Sequence, residues 1–482
     1  MEKRKVIIVG GGIAGMSAAQ ELLERSTDRV RFDIHIYEKE TQYVGGKARS
    51  VPVLTRPYKD GVREGYEAAD WEVDGKWALP GEHGFRFFPG FYKHLPDTMS
   101  RIPYGESGTV ADNLVPAHYV ELALYGRKPI IAATRLPSTL GEFIEDLHVL
   151  FLDRSSLAGL GLTRDDVEHF GKRMWQILTS CGDRRLASYE KMTWWDFLDA
   201  DKHSLAYQNL FAKGLSRSLL ANDPRRASAR TVGDTNIQLF FNMAEFRGTD
   251  RLLNGPTSEA WLHPWRKYLT GESGKQLART PVTFHMGRQA VRILCEDGKV
   301  SGIRVRDDEQ GKGEEEVTGD IYVFCLPVER MADLLEQSRR ADGGQDPLKL
   351  DPSLENICRL KSYVARMNGV QFFLKKDVPI VEGHILFVES PWEVTAISEM
   401  QFWSEKVDIG RCDDGQVRGI LSACISEWNK PGLPIGGDPR LPPVQRPPAN
   451  ECSREQIRQE VWDQLKRGIN ASGDIRLEDA DL

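Results

Sequence analysis

With 482 residues, 40% of them apolar and 28% charged, the chain reads as a soluble globular protein too long for one simple core, and two domains are expected. A net charge of −7 gives no electrostatic reason to bind nucleic acid. Seven cysteines without a CxxC or a spaced Cys/His cluster speak against a disulfide framework and against any metal site, and suit a reducing cytoplasm.

The N-terminus, MEKRKVIIVGGGIAG, begins with charge and an apolar run, as a signal peptide does. Three consecutive glycines interrupt that run and no small-residue cleavage pattern follows, so export is not expected. No stretch approaches the roughly 18 apolar residues that span a bilayer. A cytoplasmic location is expected, with peripheral membrane contact left open.

Val6 to Val9 reads as a buried parallel strand and runs directly into Gly10-Gly11-Gly12-Ile13-Ala14-Gly15, a full G-x-G-x-x-G. Helix-forming residues follow from Met16 to Arg25. Phe32 to Tyr37 then alternates like a second strand and ends in Glu38, 23 residues after Gly15, with Lys39 beside it. This order points to a dinucleotide site. Gly10 permits the tight turn, Gly12 lets backbone approach a pyrophosphate, and Gly15 lets the helix pack on the strand. The helix N-terminus at Ile13 and Ala14 offers N–H groups to phosphate. Glu38 can accept hydrogen bonds from ribose hydroxyls and disfavours a 2′-phosphate. Shortly afterwards, Val44-Gly45-Gly46-Lys47-Ala48-Arg49-Ser50 sets two glycines before the cations Lys47 and Arg49. It is either a basic surface turn or a second edge of the pyrophosphate site.

The stretch GEHGFRFFPG, Gly81 to Gly90, sets His83 between an acid and a glycine. From about Gly126 to Trp265 amphipathic helices are expected, among them Leu140 to Leu152 and Ser204 to Leu220, with Trp175, Trp194 and Trp195 adding bulk. Val282 to Leu294, Val300 to Arg306 and Asp320 to Pro327 read as strands, with a turn at Glu296 to Lys299. A second excursion, about Leu350 to Trp428, also reads as strands: Gly369 to Leu374, His384 to Val388, Trp392 to Ile397 and Gly419 to Ile425. Within it Trp392, Phe402 and Trp403 either line an apolar cavity or pack a core. Pro431 to Asn450, with seven prolines, is a linker before a final helix, Glu455 to Arg467.

Together these motifs resemble a phytoene-desaturase-like member of the flavin amine oxidase superfamily, over most of the chain. Gly45-Gly46-Lys47-Ala48-Arg49-Ser50 resembles the "GG-(Arg/Lys)-x-x-(Ser/Thr)" element that follows the fingerprint there, which implies FAD rather than NAD. Glu82 to Tyr92 resembles the segment that wraps the flavin, with Arg86 at the family's His position. Leu253 to Leu269 and the W-x-V-T-x-I run also look like that family. The resemblance implies that His83, Gly84 and Phe85 line the flavin and that the backbone of Val291 meets the adenine. It implies too that Phe87 and Phe88 shape the adjoining cavity. Two departures stand out. Tyr363 to Gln371 has no Lys of the kind many amine oxidases hold near the flavin. Nothing after Ser453 matches the family's late FAD-closing strand and helix, so a second polypeptide that completes the site is one expectation.

The expected fold class is α/β: a Rossmann-like FAD-binding domain with an interleaved α+β substrate domain. Residues 1–125 and 271–349 would form the FAD-binding domain, and 126–270 and 350–430 the substrate domain. Residues 431–482 would be the Pro-rich linker and terminal helix. The expected activity is FAD-dependent desaturation or dehydrogenation of a small molecule with an apolar body, forming C=C or C=N. His83 or Arg86 would stabilise reduced flavin or take a proton. One alternative is an amine or amino-acid oxidase producing an imine and hydrogen peroxide, with Arg86 or Arg366 holding a substrate carboxylate. Another is a noncatalytic subunit of a heteromeric flavoprotein.

Overall fold

The structure, a computed structural model, describes residues 2–27, 29–58, 61–134, 161–218, 222–244, 250–274, 281–307, 313–340, 345–403, 407–435, 444–473 and 476–482. The expected helix from Leu140 to Leu152 lies outside them. The chain divides into two units. The first comprises Met1–Ser50, His94–Asn113 and Gly255–Val364, and the second Val51–Lys93, Leu114–Asn254 and Ala365–Leu482.

The first unit is built on a four-stranded parallel sheet in the order Thr283–His285, Val30–Tyr37, Glu2–Val9, Ile321–Phe324. Val6, Ile7, Ile8 and Val9 are buried without alternation, as a strand covered on both faces requires. Glu2–Val9 has neighbours on both sides that come from opposite excursions of the chain, so its carboxyl end is a topological switch point, where open α/β sheets bind ligands. The Ile13–Glu24 helix follows immediately. An antiparallel meander of Arg288–Glu296, Lys299–Asp307 and Glu314–Val317 carries the helix Val328–Arg340 against Ile293 and Cys295. This is a Rossmann-like nucleotide-binding fold.

The second unit is α+β. Its six-stranded mixed sheet runs Ile130–Ala133, Tyr119–Ala123, Gly383–Phe387, Val394–Ser398, Gly419–Ile425, Asn368–Leu374. Strand alternation assigns its two faces. Phe372, Ile385, Phe387, Val394, Ala396, Leu421, Ala423 and Ile425 share one core with Val461, Trp462 and Leu465 of the helix Arg454–Ile469. A Ser453–Gln456 capping box starts that helix. Ile397 and Ile420 point the other way and pack with Leu79, Phe402 and Trp403. A separate helical core holds Phe170, Ile177, Trp194, Trp195 and Tyr207. Trp175 is exposed instead. In place of one α-helix from Ser204 to Leu220, a short turn at Leu205–Tyr207 passes into the wider π-helix Gln208–Ser218. Pro434–Ile435 and Val444–Gln445 pair within the proline-rich stretch. Among the described residues no helix is long and apolar enough to cross a membrane.

Candidate functional site

In the first unit the glycine turn sits at the carboxyl end of Glu2–Val9. Gly10 has φ of +105°, and a Cβ there would stand 2.5 Å from the Cys325 carbonyl oxygen, so the turn requires glycine. At Gly15 a Cβ would stand 2.0 Å from the Gly10 carbonyl oxygen, which fixes how closely helix and strand pack. Gly12 differs. Its backbone is extended, with φ of −78°, and a Cβ would meet only Gly45 and Gly46 backbone at 3.9 to 4.0 Å. Nothing in the protein's own packing demands glycine at this position, whereas a ligand pressed onto the turn would.

Gly12 is also the N-cap of the Ile13–Glu24 helix, and it supplies no side-chain cap. No acid occupies the first turn, so the positive end of the helix is left for an anion. Ile13 is half-buried and Ala14 exposed. The second glycine pair is strapped beside the turn: Gly45 N–H donates to the Gly11 carbonyl at 2.8 Å, and Gly12 and Gly45 form a parallel bridge. The Arg49 guanidinium donates to the Gly46 carbonyl at 3.1 Å and pairs with Glu40 at 3.4 Å, so it braces this loop. Lys47 pairs with Glu329 at 2.9 Å, and exposed Lys39 with Glu40 at 3.3 Å.

Glu38 is buried. One carboxylate oxygen accepts from Gly11 N–H at 2.6 Å and the other from Glu40 N–H at 3.0 Å. Each oxygen keeps a lone pair that a ribose hydroxyl can use. Val291 sits where the register slips between Ala290 and Arg292, a β-bulge that leaves it out of the ladder with Lys299–Asp307.

The second unit gathers a different group. Gly84 has φ of +98°, and a Cβ on it would stand 2.9 Å from the Cys424 sulfur. A Cβ on Gly369 would stand 2.3 Å from Gly84 N. These two glycines let the Gly81 to Phe88 stretch lie directly on its own sheet. His83 is exposed, whereas Gly84 faces that sheet. Arg86 donates to the Gly84 carbonyl at 2.9 Å. Phe85 and Phe87 stand over His384, with ring centroids 5.1 and 5.2 Å away. Phe88 is buried in a short strand paired with Arg251.

The sheet face beneath is polar. Register pairs Gln371 with Ser422 and Ser422 with Ile397; the pairing of Ile385 with Ala396 sets His384 beside Ile397. Glu399 continues the same face and donates its N–H to the Ile420 carbonyl at 2.9 Å. Glu82 N–H donates to the Gln371 side-chain oxygen at 3.1 Å. Burial, and then the charge of Glu82, pushes the Glu399 carboxyl up to about 8, against the pull of the Ser422 hydroxyl and the Arg86 guanidinium. Burial alone pushes His384 down to about 4, so its ring is neutral at neutral pH. Among the described residues, His384 Nε2, Gln371 Nε2, Thr395 Oγ1 and Glu399 Oε1 are buried without a hydrogen-bond partner. Such groups are costly in an apolar core and mark a place built for something other than packing.

The remaining substrate-lining candidates are not brought to one place. Trp392 is fully buried in the core under the Arg454–Ile469 helix, its indole N–H donating to the Lys430 carbonyl at 3.1 Å. Phe402 and Trp403 pack on the opposite face with Leu79 and Ile420. Arg366 is exposed. Sequence reading passed over Glu399, His384 and Gln371. The signal was there: each is a polar residue at an alternating inward position of an apolar strand or its continuation.

Residues 8–102 match the family of NAD(P)-binding Rossmann-like domains. No curated protein matches the chain. Among solved structures, an oxidoreductase from Methanosarcina mazei is 14% identical, with 96% of this chain and 84% of that chain covered and a TM-score of 0.51. A putative protoporphyrinogen oxidase from Exiguobacterium sp. 255-15 is 15% identical, with coverage of 97% and 83% and a TM-score of 0.53. A putrescine oxidase variant is 12% identical, with coverage of 100% and 85% and a TM-score of 0.51. The chain shares its overall fold with these three structures. At these identities the likeness concerns the fold.

Proposed function

We propose that the chain is a FAD-dependent oxidoreductase that desaturates or dehydrogenates a small molecule with an apolar body. The observation that carries this reading is Gly12, a glycine that packing does not require, at the uncapped start of a helix on a topological switch point. The first unit's residues fit the dinucleotide. Gly12 and the first helical N–H groups would hold the pyrophosphate, Gly45 and Gly46 its second edge, Glu38 a ribose, and the bulged backbone at Val291 the adenine. Bound FAD supplies the two-electron acceptor for hydride removal.

The chain's own residues bind, exclude water and manage the proton. Phe85 and Phe87 provide apolar cover over the polar sheet face, on which Glu399 and His384 are the buried titratable groups, and Glu82 lies in the covering stretch. No role for His83 as a base is supported by its exposure. The amino-acid oxidase reading gains nothing from the two arginines named for it, since Arg86 donates to the Gly84 carbonyl and Arg366 is exposed.

The test is the visible spectrum of the purified chain after incubation with FAD, with NAD and NADP as controls. Retained flavin absorbance is expected. Flavin retained only after a second polypeptide is added would assign the chain to a heteromer. Absence of flavin absorbance in every assembled form overturns the proposal.

A further inference from the structure

Asn368–Leu374 is the last strand on its side of the second unit's mixed sheet, and it pairs only with Gly419–Ile425. Every residue from Asn368 to Lys375 lines a cavity of about 770 Å³ whose walls all belong to that unit. The other walls come from the hairpin that carries Val53 and Tyr66 and from the start of the Arg454–Ile469 helix.

In an antiparallel ladder successive residues turn their N–H and C=O groups alternately toward the partner strand and away from it. Two bonds at the end of the strand fix which is which. The Leu374 carbonyl accepts from Arg418 N–H at 2.8 Å on the ladder side, and Lys375 N–H donates to the Asp481 carbonyl at 2.8 Å on the outer side. Counting back from Lys375, Gly369, Gln371 and Phe373 direct their backbone groups outward. Among the described residues none of those groups has a hydrogen-bond partner.

A row of unpaired backbone groups facing a cavity is a template for one more strand. The walls suit a strand buried on both faces. Val370 and Phe372 lie on the helix side with Ile457 and Trp428, and Phe373 lies on the other with Val53 and Val417. Two side-chain donors at the cavity are also unsatisfied. Gln371 Nε2 is buried without a partner, while its Oε1 accepts from Glu82 N–H. Arg458 Nε is buried without a partner too, and among the described residues Arg458 forms no ion pair. Its neighbours on the cavity wall are committed, Arg454 to Glu64 and Arg63 to Asp414. Asp479, which feels the Arg458 charge, is held by Lys466 and the Trp462 indole.

We propose that this edge is a docking site for an extended segment of a second polypeptide, which adds one further strand to the sheet. The segment is apolar on both faces and carries an acidic side chain for Arg458. Main-chain bonds to Gly369, Gln371 and Phe373 supply the affinity, and the apolar walls with Arg458 supply the selectivity.

Hydrogen exchange of the full chain, followed residue by residue and without flavin, tests this docking. The probes are short synthetic peptides of alternating Val and Ala, with and without one Glu. In the free chain the amides of Gly369, Gln371 and Phe373 should exchange fast, and those of Val370 and Phe372 slowly. The Glu-bearing peptide should slow the outward set about tenfold, roughly the worth of one hydrogen bond per amide. The same peptide N-methylated at alternate residues should not. Gln371→Pro removes one outward N–H, a change an edge strand tolerates, and should weaken peptide binding while the ladder amides stay protected. Arg458→Gln should erase the preference for the Glu-bearing peptide. Outward amides already protected in the free chain at every concentration, or left unchanged by every peptide, overturn the proposal. Protection that grows with protein concentration makes the occupant a second copy of this chain and overturns the assignment to a separate polypeptide.

Discussion

Glu38 accepts a 2.6 Å hydrogen bond from the backbone N–H of Gly11, so the acid that ends the second strand is fastened to the glycine turn. The same carboxylate holds Glu40 N–H at 3.0 Å and thereby the approach to the second glycine pair. Glu38→Ala leaves the buried Gly11 N–H without an acceptor and should cost about 1–3 kcal/mol of stability in thermal denaturation. Glu38→Gln keeps one acceptor and should cost less. Equal losses for both variants would show that the loop does not depend on this bond.

Gly12→Ala and Gly15→Ala should separate ligand from packing. The Cβ of Gly12→Ala finds only contacts of 3.9–4.0 Å, so the melting temperature should stay close to wild type while FAD titration shows weakened binding. In Gly15→Ala the Cβ collides at 2.0 Å with Gly10 backbone, and the strand and helix must part. A loss of about 1–3 kcal/mol is expected, typical of overpacking. Unchanged FAD affinity in Gly12→Ala would remove the observation on which the functional reading rests.

The buried titratable groups set opposite pH dependences. Glu399 is raised from 4.5 to about 8, by burial first and then by Glu82. Protonated in the fold and ionised in the unfolded chain over that interval, it contributes stability that is complete below about pH 4.5 and lost as pH rises through 8. His384 is lowered from 6.5 to about 4 by burial, so its contribution is complete above 6.5 and lost as pH falls through 4. Denaturant unfolding between pH 5 and 9 should show a falling limb that Glu399→Gln flattens. The same decline in wild type and variant would contradict the shift.

Trp392→Phe tests whether that indole lines a substrate cavity or packs a core. It is fully buried and gives its N–H to the Lys430 carbonyl, so the substitution strands an acceptor and opens space. A stability loss of roughly 1–3 kcal/mol is expected, with FAD retention unchanged. A variant with wild-type stability would favour a cavity-lining role for Trp392.

Arg446 secures the helix that covers the sheet. It pairs with fully buried Glu460 at 2.5 Å and with Asp463 at 2.6 Å, while Glu460 also accepts from Leu433 N–H at 2.6 Å. Arg446→Ala leaves a buried carboxylate without its cation and should cost about 3–5 kcal/mol. Chemical denaturation at neutral pH measures it, and a loss within the range of a surface pair would mean the carboxylate is hydrated.

Local rules made the nucleotide half legible. An unbroken apolar run, a glycine turn, a helix and an alternating strand ending in an acid follow one another in the chain, so Gly10, Gly12, Gly15 and Glu38 could be named from spacing. The meander from Arg288 and the inward alternation of Gly419–Ile425 were readable for the same reason: each rests on contacts a few residues apart. Such short-range contacts are written into the chain itself, and so is the glycine spacing that suits a dinucleotide.

Which distant residues share a face depends instead on how the chain crosses over itself. Glu82 reaches Gln371 because one stretch crosses a sheet whose register aligns Gln371, Ser422, Ile397 and His384. The fold also separates Trp392 from Trp403, eleven residues apart in sequence but on opposite sides of that sheet. Gly84 turned out to serve close contact with Gly369 and Cys424, a constraint absent from its own neighbours in the chain. Burial, and the shift of a carboxyl to about 8 that follows from it, is a property of that crossing and not of any residue in it.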